Sequence, residues 1–151
     1  MAQGDMIVFD AGLVNLGNSF NVGSDTWKYG LVDNSTVPSR DTADPSWGAG
    51  GTTDFSANQV ITTGTSYTGP VTLAGASWSE AAANTFRLDF TDPATLAQDA
   101  SGPTDCYWMI GYNDTDANKD CMFAVDLGGP ISLVGGSLDV NFNANGIFQV
   151  T

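Results

Sequence analysis

Cys106-Tyr-Trp-Met-Ile-Gly-Tyr112 and Cys121-Met-Phe-Ala-Val-Asp-Leu127 are two short apolar runs separated by the polar stretch Asn113–Asp120. Runs of this length, bounded by Asn, Asp and Gly, suit β-strands, and a polar turn between them makes a hairpin. Further on, Ser137-Leu-Asp-Val-Asn-Phe142 alternates apolar and polar residues, which predicts a strand with Leu138, Val140 and Phe142 inward. Asn143-Ala-Asn-Gly146 is a turn, because Asn and Gly accept positive φ. Gly146–Val150 closes the chain as a strand apolar on both faces. Such a strand is either central in its sheet or covered by another subunit.

The hairpin also bears on the two cysteines. With Asn113–Asp120 as the turn, Tyr112 lies opposite Cys121 and Cys106 opposite Leu127. Six strand steps then put the thiols about 20 Å apart, too far to bridge, so both are expected to be free.

Upstream, Thr85-Phe-Arg-Leu-Asp-Phe90 has a period of two, with Phe86, Leu88 and Phe90 inward and Arg87 and Asp89 outward. Asp92-Pro93 reads as the start of a helical turn. Thr26–Val32 alternates Trp27, Tyr29 and Leu31 with Lys28 and Gly30, a strand with one buried face. Tyr67–Leu73 leads into another strand, and Trp78 and Ser79 belong to the piece after it. Residues 1–20 form an N-terminal segment in which Met6–Leu16 is a short helix, with Phe9, Leu13, Leu16 and Phe20 on one face, Asp5 as cap and Gly17 as stop. Met6–Phe9 alone also suits a strand. Asp33–Asp54, rich in Asp, Ser, Thr, Pro and Gly, is a long surface loop whose Trp47 either anchors it to the core or is offered to a partner. Many short strands and little helix define a mainly β chain: an antiparallel β-sandwich or jelly-roll-like fold with a short N-terminal helix, in one domain spanning residues 1–151.

Composition narrows function. The chain has 17 acids against 4 bases and no His, a formal net charge of −13. Glu80 is the only Glu, and the Asp-, Asn- and Gly-rich remainder favours turns and strands over helices. So much negative charge disfavours nucleic acid and anionic membrane surfaces. No apolar run approaches the roughly 20 residues of a membrane-spanning helix. Met1-Ala-Gln-Gly-Asp5 lacks the features of a secretion signal, so the protein is expected to be made in a cytoplasm and stay soluble.

Catalysis at neutral pH draws on His, a tuned carboxylate, a thiolate or a metal. Without His, triads and His-ligated metals drop out, and neither Cys has a base partner. Arg87, Asp89 and Asp92 resemble a glycosidase carboxylate pair only loosely, and a solvent-facing strand explains them more simply. No enzyme activity, cofactor or metal is assigned. The one calcium candidate is Asp114, Asp116, Asn118 and Asp120, which place oxygens at alternate positions. It departs from the EF-hand pattern, with Lys119 at the glycine position and Val125 at the distal acid position.

The order of motifs resembles a family of small tailed-bacteriophage virion proteins. The matching stretches are Ser24–Val32, the loop with Val37-Pro38 and Asp44-Pro-Ser-Trp47, Tyr67-Thr-Gly69, Phe86–Asp92, Met109–Asp114, Phe123–Gly128 and Leu138–Phe148. They span nearly the whole chain, and Pro70 departs from the family's usual second glycine. The family looks like capsid cement, or decoration, proteins. The resemblance therefore implies a non-catalytic virion protein, assembled in the host cytoplasm, that binds the major capsid protein on the capsid exterior and stabilises the shell, commonly as a homotrimer. Trp27, Trp47, Phe9 and Phe148 are the candidate partner contacts. A tail-associated fibre or adaptor module is the alternative, and a small β-sandwich carbohydrate- or calcium-binding module a second.

Overall fold

The computed structural model describes residues 2–150. The chain is mainly β, with one short helix near its N-terminus. Its centre is the expected hairpin: β8 (Cys106–Asn113) pairs antiparallel with β9 (Cys121–Ile131), and Tyr112 faces Cys121. Two register shifts carry Cys106 to a position opposite Ile131 rather than Leu127, and β9 runs on through Gly128 and Gly129. The two thiols are buried and free at opposite ends of the hairpin. Around it the sheet is completed by β1 (Met6–Val8), β2 (Trp27–Val32) and β5 (Val71–Leu73), in the order β1-β9-β8-β2-β5, every pair antiparallel.

This sheet is buried on both faces, which is why β8 reads as an almost unbroken apolar run. One face carries Trp27, Tyr29, Leu31, Met109 and Phe123 and packs against Leu88, Phe90 and Ile147. Those residues come from, or adjoin, a second antiparallel sheet made of β6 (Ser77–Ala82), β7 (Thr85–Asp89) and β10 (Phe148–Val150), in the order β10-β7-β6. The other face carries Val32, Trp108, Ile110, Tyr112 and Ala124.

That other face is covered by residues 45–58 of the long connection, and of the two readings of Trp47 the anchor is the one the structure bears out. Trp47 is buried and lies parallel to Tyr112, with ring centroids 5.3 Å apart. Phe55, at the start of a 3-10 turn over Phe55–Asn58, is fully buried and packs with Phe9. A Cβ on Gly30 would fall 2.0 Å from the Trp47 ring, so the glycine is the slot that admits the indole onto β2. The segment is pinned at its ends by short strands, β3 (Pro45–Ser46) parallel to β4 (Thr53–Asp54), and by the Trp47 N–H donating to the Lys119 carbonyl. Consequently β2 is buried on both faces rather than one.

Three other expectations need correction. The N-terminal segment is strand β1 followed by helix α1 (Asp10–Asn18), and Phe9, not Asp5, stands at the helix start. The Asp5 carboxylate accepts from the Ala2 N–H instead. Gly12 lies where α1 rests on β9, since a Cβ there would meet Met122 at 2.9 Å. Residues 92–98 form no helix, because Leu96 bridges to Leu138 and the Asp92 carboxylate accepts from the Phe142 N–H. Leu138, Val140 and Phe142 do turn toward the core, but apart from that Leu138 bridge the stretch pairs with no strand. No helix among the described residues is long and apolar enough to cross a membrane.

A candidate interaction surface on the small sheet

The acidic turn does not gather its oxygens. Asp114 is engaged by the Lys28 ammonium at 2.7 Å and that of Lys119 at 3.4 Å. Burial opposes its ionisation, but the two cations outweigh that and lower its pKa. Asp116 accepts from the Asn118 N–H within the turn. Asp120 is buried and points toward α1, where one oxygen accepts from the Asn15 amide and the other has no partner. Burial, then the charges of Asp116 and Asp44, raise its pKa. Among the described residues no group of three or more His, Cys, Asp or Glu could hold a metal ion. Arg87, Asp89 and Asp92 are likewise occupied. Arg87 donates to the Ala144 carbonyl and lies 3.7 Å from Asp89, and Asp92 binds the Phe142 N–H.

The four residues read as partner contacts divide sharply. Trp27, Trp47 and Phe9 are core residues. Trp27 is fully buried, edge-on to Phe20 and Phe90. Phe148 alone lies at the surface, half-buried in β10, and β10 is an edge strand, not a central one.

Phe148 belongs to a larger apolar surface. In the small sheet, Trp78, Leu88 and Phe148 are directly opposite one another across β6, β7 and β10, and so are Glu80, Phe86 and Val150. Directly opposed residues share a face, and residues two apart on a strand share it too. Both rows therefore lie on the face that packs on the core. Leu88 is fully buried, yet two residues along the strand Phe86 is 42% exposed, Trp78 is 40% and Val150 49%. The inner face of the small sheet runs past the edge of the core, and its outer half has nothing over it. The period of Phe86, Leu88 and Phe90 was legible in the sequence; the exposure of Phe86 was not.

The uncovered rings are ordered against each other. Trp78 stacks on Phe86 with centroids 6.2 Å apart and tilts against Phe148 at 5.8 Å. Beside them a groove of about 1000 Å³ opens between the sheet and α1, walled by Leu13, Leu16, Phe20, Trp78, Phe148 and Val150. None of the described residues lining it is charged. It adjoins a smaller hollow at the free edge of β1, which shares Leu13 and Phe148. Sequence reasoning missed Trp78, Phe86 and Val150. The available signal was a lone Trp in one strand beside three same-face apolar residues in the next.

No protein-family model matches the chain, and no curated protein or solved structure matches it either.

Proposed function

We propose that this chain is a non-catalytic structural protein of a bacteriophage virion, a cement protein that binds the major capsid protein on the outer surface of the shell and stabilises it. The observation that carries the reading is the uncovered aromatic face of the small sheet in a chain otherwise strongly acidic. Exposed contiguous apolar surface on a rigid scaffold is the mark of a protein that works by being docked. The negative charge favours the shell exterior over contact with packaged DNA. The order of motifs, which resembles that of tailed-phage virion proteins, points the same way, and small contacts repeated by capsid symmetry gain by multivalency.

A carbohydrate-binding module is the second reading, because Trp78 and Phe86 offer ring faces on one side of the molecule. Sugar recognition also needs convergent hydrogen-bonding groups, and apart from the Trp78 indole only Asn21 and Ser77 bring polar side chains to the groove beside these rings. The test is co-sedimentation of the purified protein with expanded shells. Saturable binding of hundreds of copies per shell, with a raised shell disassembly temperature, is the expected result. No bound protein, or only a few to dozens of copies, would remove the cement reading, and the second outcome would favour a tail component.

A further inference from the structure

We infer that the cleft between β1 and residues 138–147 is a vacant strand position, which binds an extended basic peptide segment of a partner protein by strand addition. The edge of β1 prepares it. Phe9 donates its N–H to the Met122 carbonyl, and Asp126 donates to the Asp5 carbonyl. Bonded positions alternate in an antiparallel pair, so Asp5, Ile7 and Phe9 face β9, and the main-chain groups of Met6 and Val8 point away from it. β1 ends its sheet, and among the described residues no strand takes up those groups. Across the cleft, Leu138 exchanges both its main-chain bonds with Leu96, and the Phe142 N–H is held by Asp92. The main-chain groups of Asp139, Val140 and Asn141 find no main-chain partner among the described residues. Unpaired edges of this kind are templates for a further strand.

The cleft has room and a chemistry of its own. It holds about 640 Å³, the size of a ligand pocket. Met6, Val125, Val140 and Ile147 give it apolar walls, Asp126 and Asp139 bring carboxylates, and no Lys or Arg lines it. Met6 and Val8 turn to the inner side of their sheet. Directly opposed residues of an antiparallel pair share a face, so a segment laid along β1 turns every second side chain inward, where apolar groups fit. The side chains between them meet water and the two carboxylates, and beside a chain of net charge −13 their complement is basic. Charge also selects a foreign segment over a second copy. The four bases of this chain, Lys28, Arg40, Arg87 and Lys119, stand singly, and no stretch sets two bases at alternate positions between apolar residues. None of Trp78, Phe86, Phe148 and Val150 lines the cleft, so it is a site separate from the aromatic face and does not rest on what covers that face.

The probe is a capped peptide, Val-Lys-Val-Thr-Val-Lys-Val, titrated into the full chain by calorimetry at about 0.15 M salt, where diffuse attraction to the acidic surface is screened beyond about 8 Å. Saturable one-to-one binding is the expected result. N-methylation of the peptide's Val amides removes the donors that face β1 and leaves the charge unchanged; it should weaken binding at least tenfold, and so should replacing both peptide Lys by Glu. In the protein, Met6→Pro loses only an N–H that points away from β9, and Asn141→Lys sets a like charge at an exposed position of the cleft. Each should weaken binding at least several-fold. Near-UV circular dichroism from the buried aromatics verifies folding in each variant, and Asn141→Lys decides if Met6→Pro misfolds. No binding, equal binding of the N-methylated peptide, or binding unchanged by the folded variants would each overturn the inference. So would pairs of this chain that fill the cleft and separate when the peptide is added. Co-sedimentation with shells reads the cement proposal independently of all these outcomes.

Discussion

Replacing Trp47 with Ala separates a structural layer from a surface loop. The indole is almost wholly buried, stacked on Tyr112 and seated over Gly30. A buried Trp removes roughly 150–250 Å² from water, which at about 25 cal/mol per Å² is about 4–6 kcal/mol as an upper bound. Residues 48–51 include three glycines, so the segment can settle partly into the space. The expected loss is about 3–5 kcal/mol, the ordinary range for an aromatic truncated in a core. Equilibrium urea unfolding of the variant reads this as a lower midpoint with an unchanged slope. Trp78→Ala is the control, because Trp78 is only partly covered, and it should lose less than half as much. A loss below about 1 kcal/mol for Trp47→Ala would refute the account of residues 45–58 as a cover of the central sheet.

Gly30→Ala should destabilise by about 1–3 kcal/mol, because the new methyl enters the Trp47 ring and forces it off its seat; thermal unfolding measures it. Burial, with Asp105 nearby, pushes the Cys106 thiol up to about 12, and burial, with Asp120 and Asp54, raises Cys121 well above its usual value. A disulfide reagent at mildly alkaline pH should therefore label neither thiol in the native protein, and both at the rate of opening in denaturant. Asp120 has a folded pKa above its unfolded one, so its ionised form opposes folding, and that penalty fades as pH falls through the folded value. Asp120→Asn keeps an acceptor for Asn15 and removes the charge. It should be more stable than the native protein near neutral pH, with the difference shrinking in acid, as read from denaturant midpoints across pH.

The hairpin was legible because its information is local: two apolar runs, a polar turn and a fixed period. The same holds for β2, β5 and β7. What the sequence hid depends on what lies opposite. Residues 33–54 have loop composition, and only two signs told that the far face of β2 has a cover: Trp47, an anchor or a partner contact by sequence alone, and Gly30 in the middle of β2. Ser137–Phe142 alternates because it faces core on one side, and alternation reports facing, not pairing. Asp92-Pro93 carries a helix-start signal, but a long-range hydrogen bond to Phe142 takes the carboxylate first. Of the candidate contacts, three aromatics were drawn into the core, as large apolar side chains usually are. Phe148 remained, and it led to Trp78, Phe86 and Val150, whose exposure arises only from the overhang of one sheet past another.

That overhang bears the functional account, and hydroxyl-radical footprinting tests it most directly. The protein is probed dilute and free, then bound to expanded shells at saturation, with Val37 and Ile61 as internal references. Oxidation of Trp78 and Phe86 should be high in the free chain and fall at least several-fold in the assembled state, while the reference positions change less. Equal oxidation of Trp78 and Phe86 in both states would contradict the claim that this face is covered when the protein works.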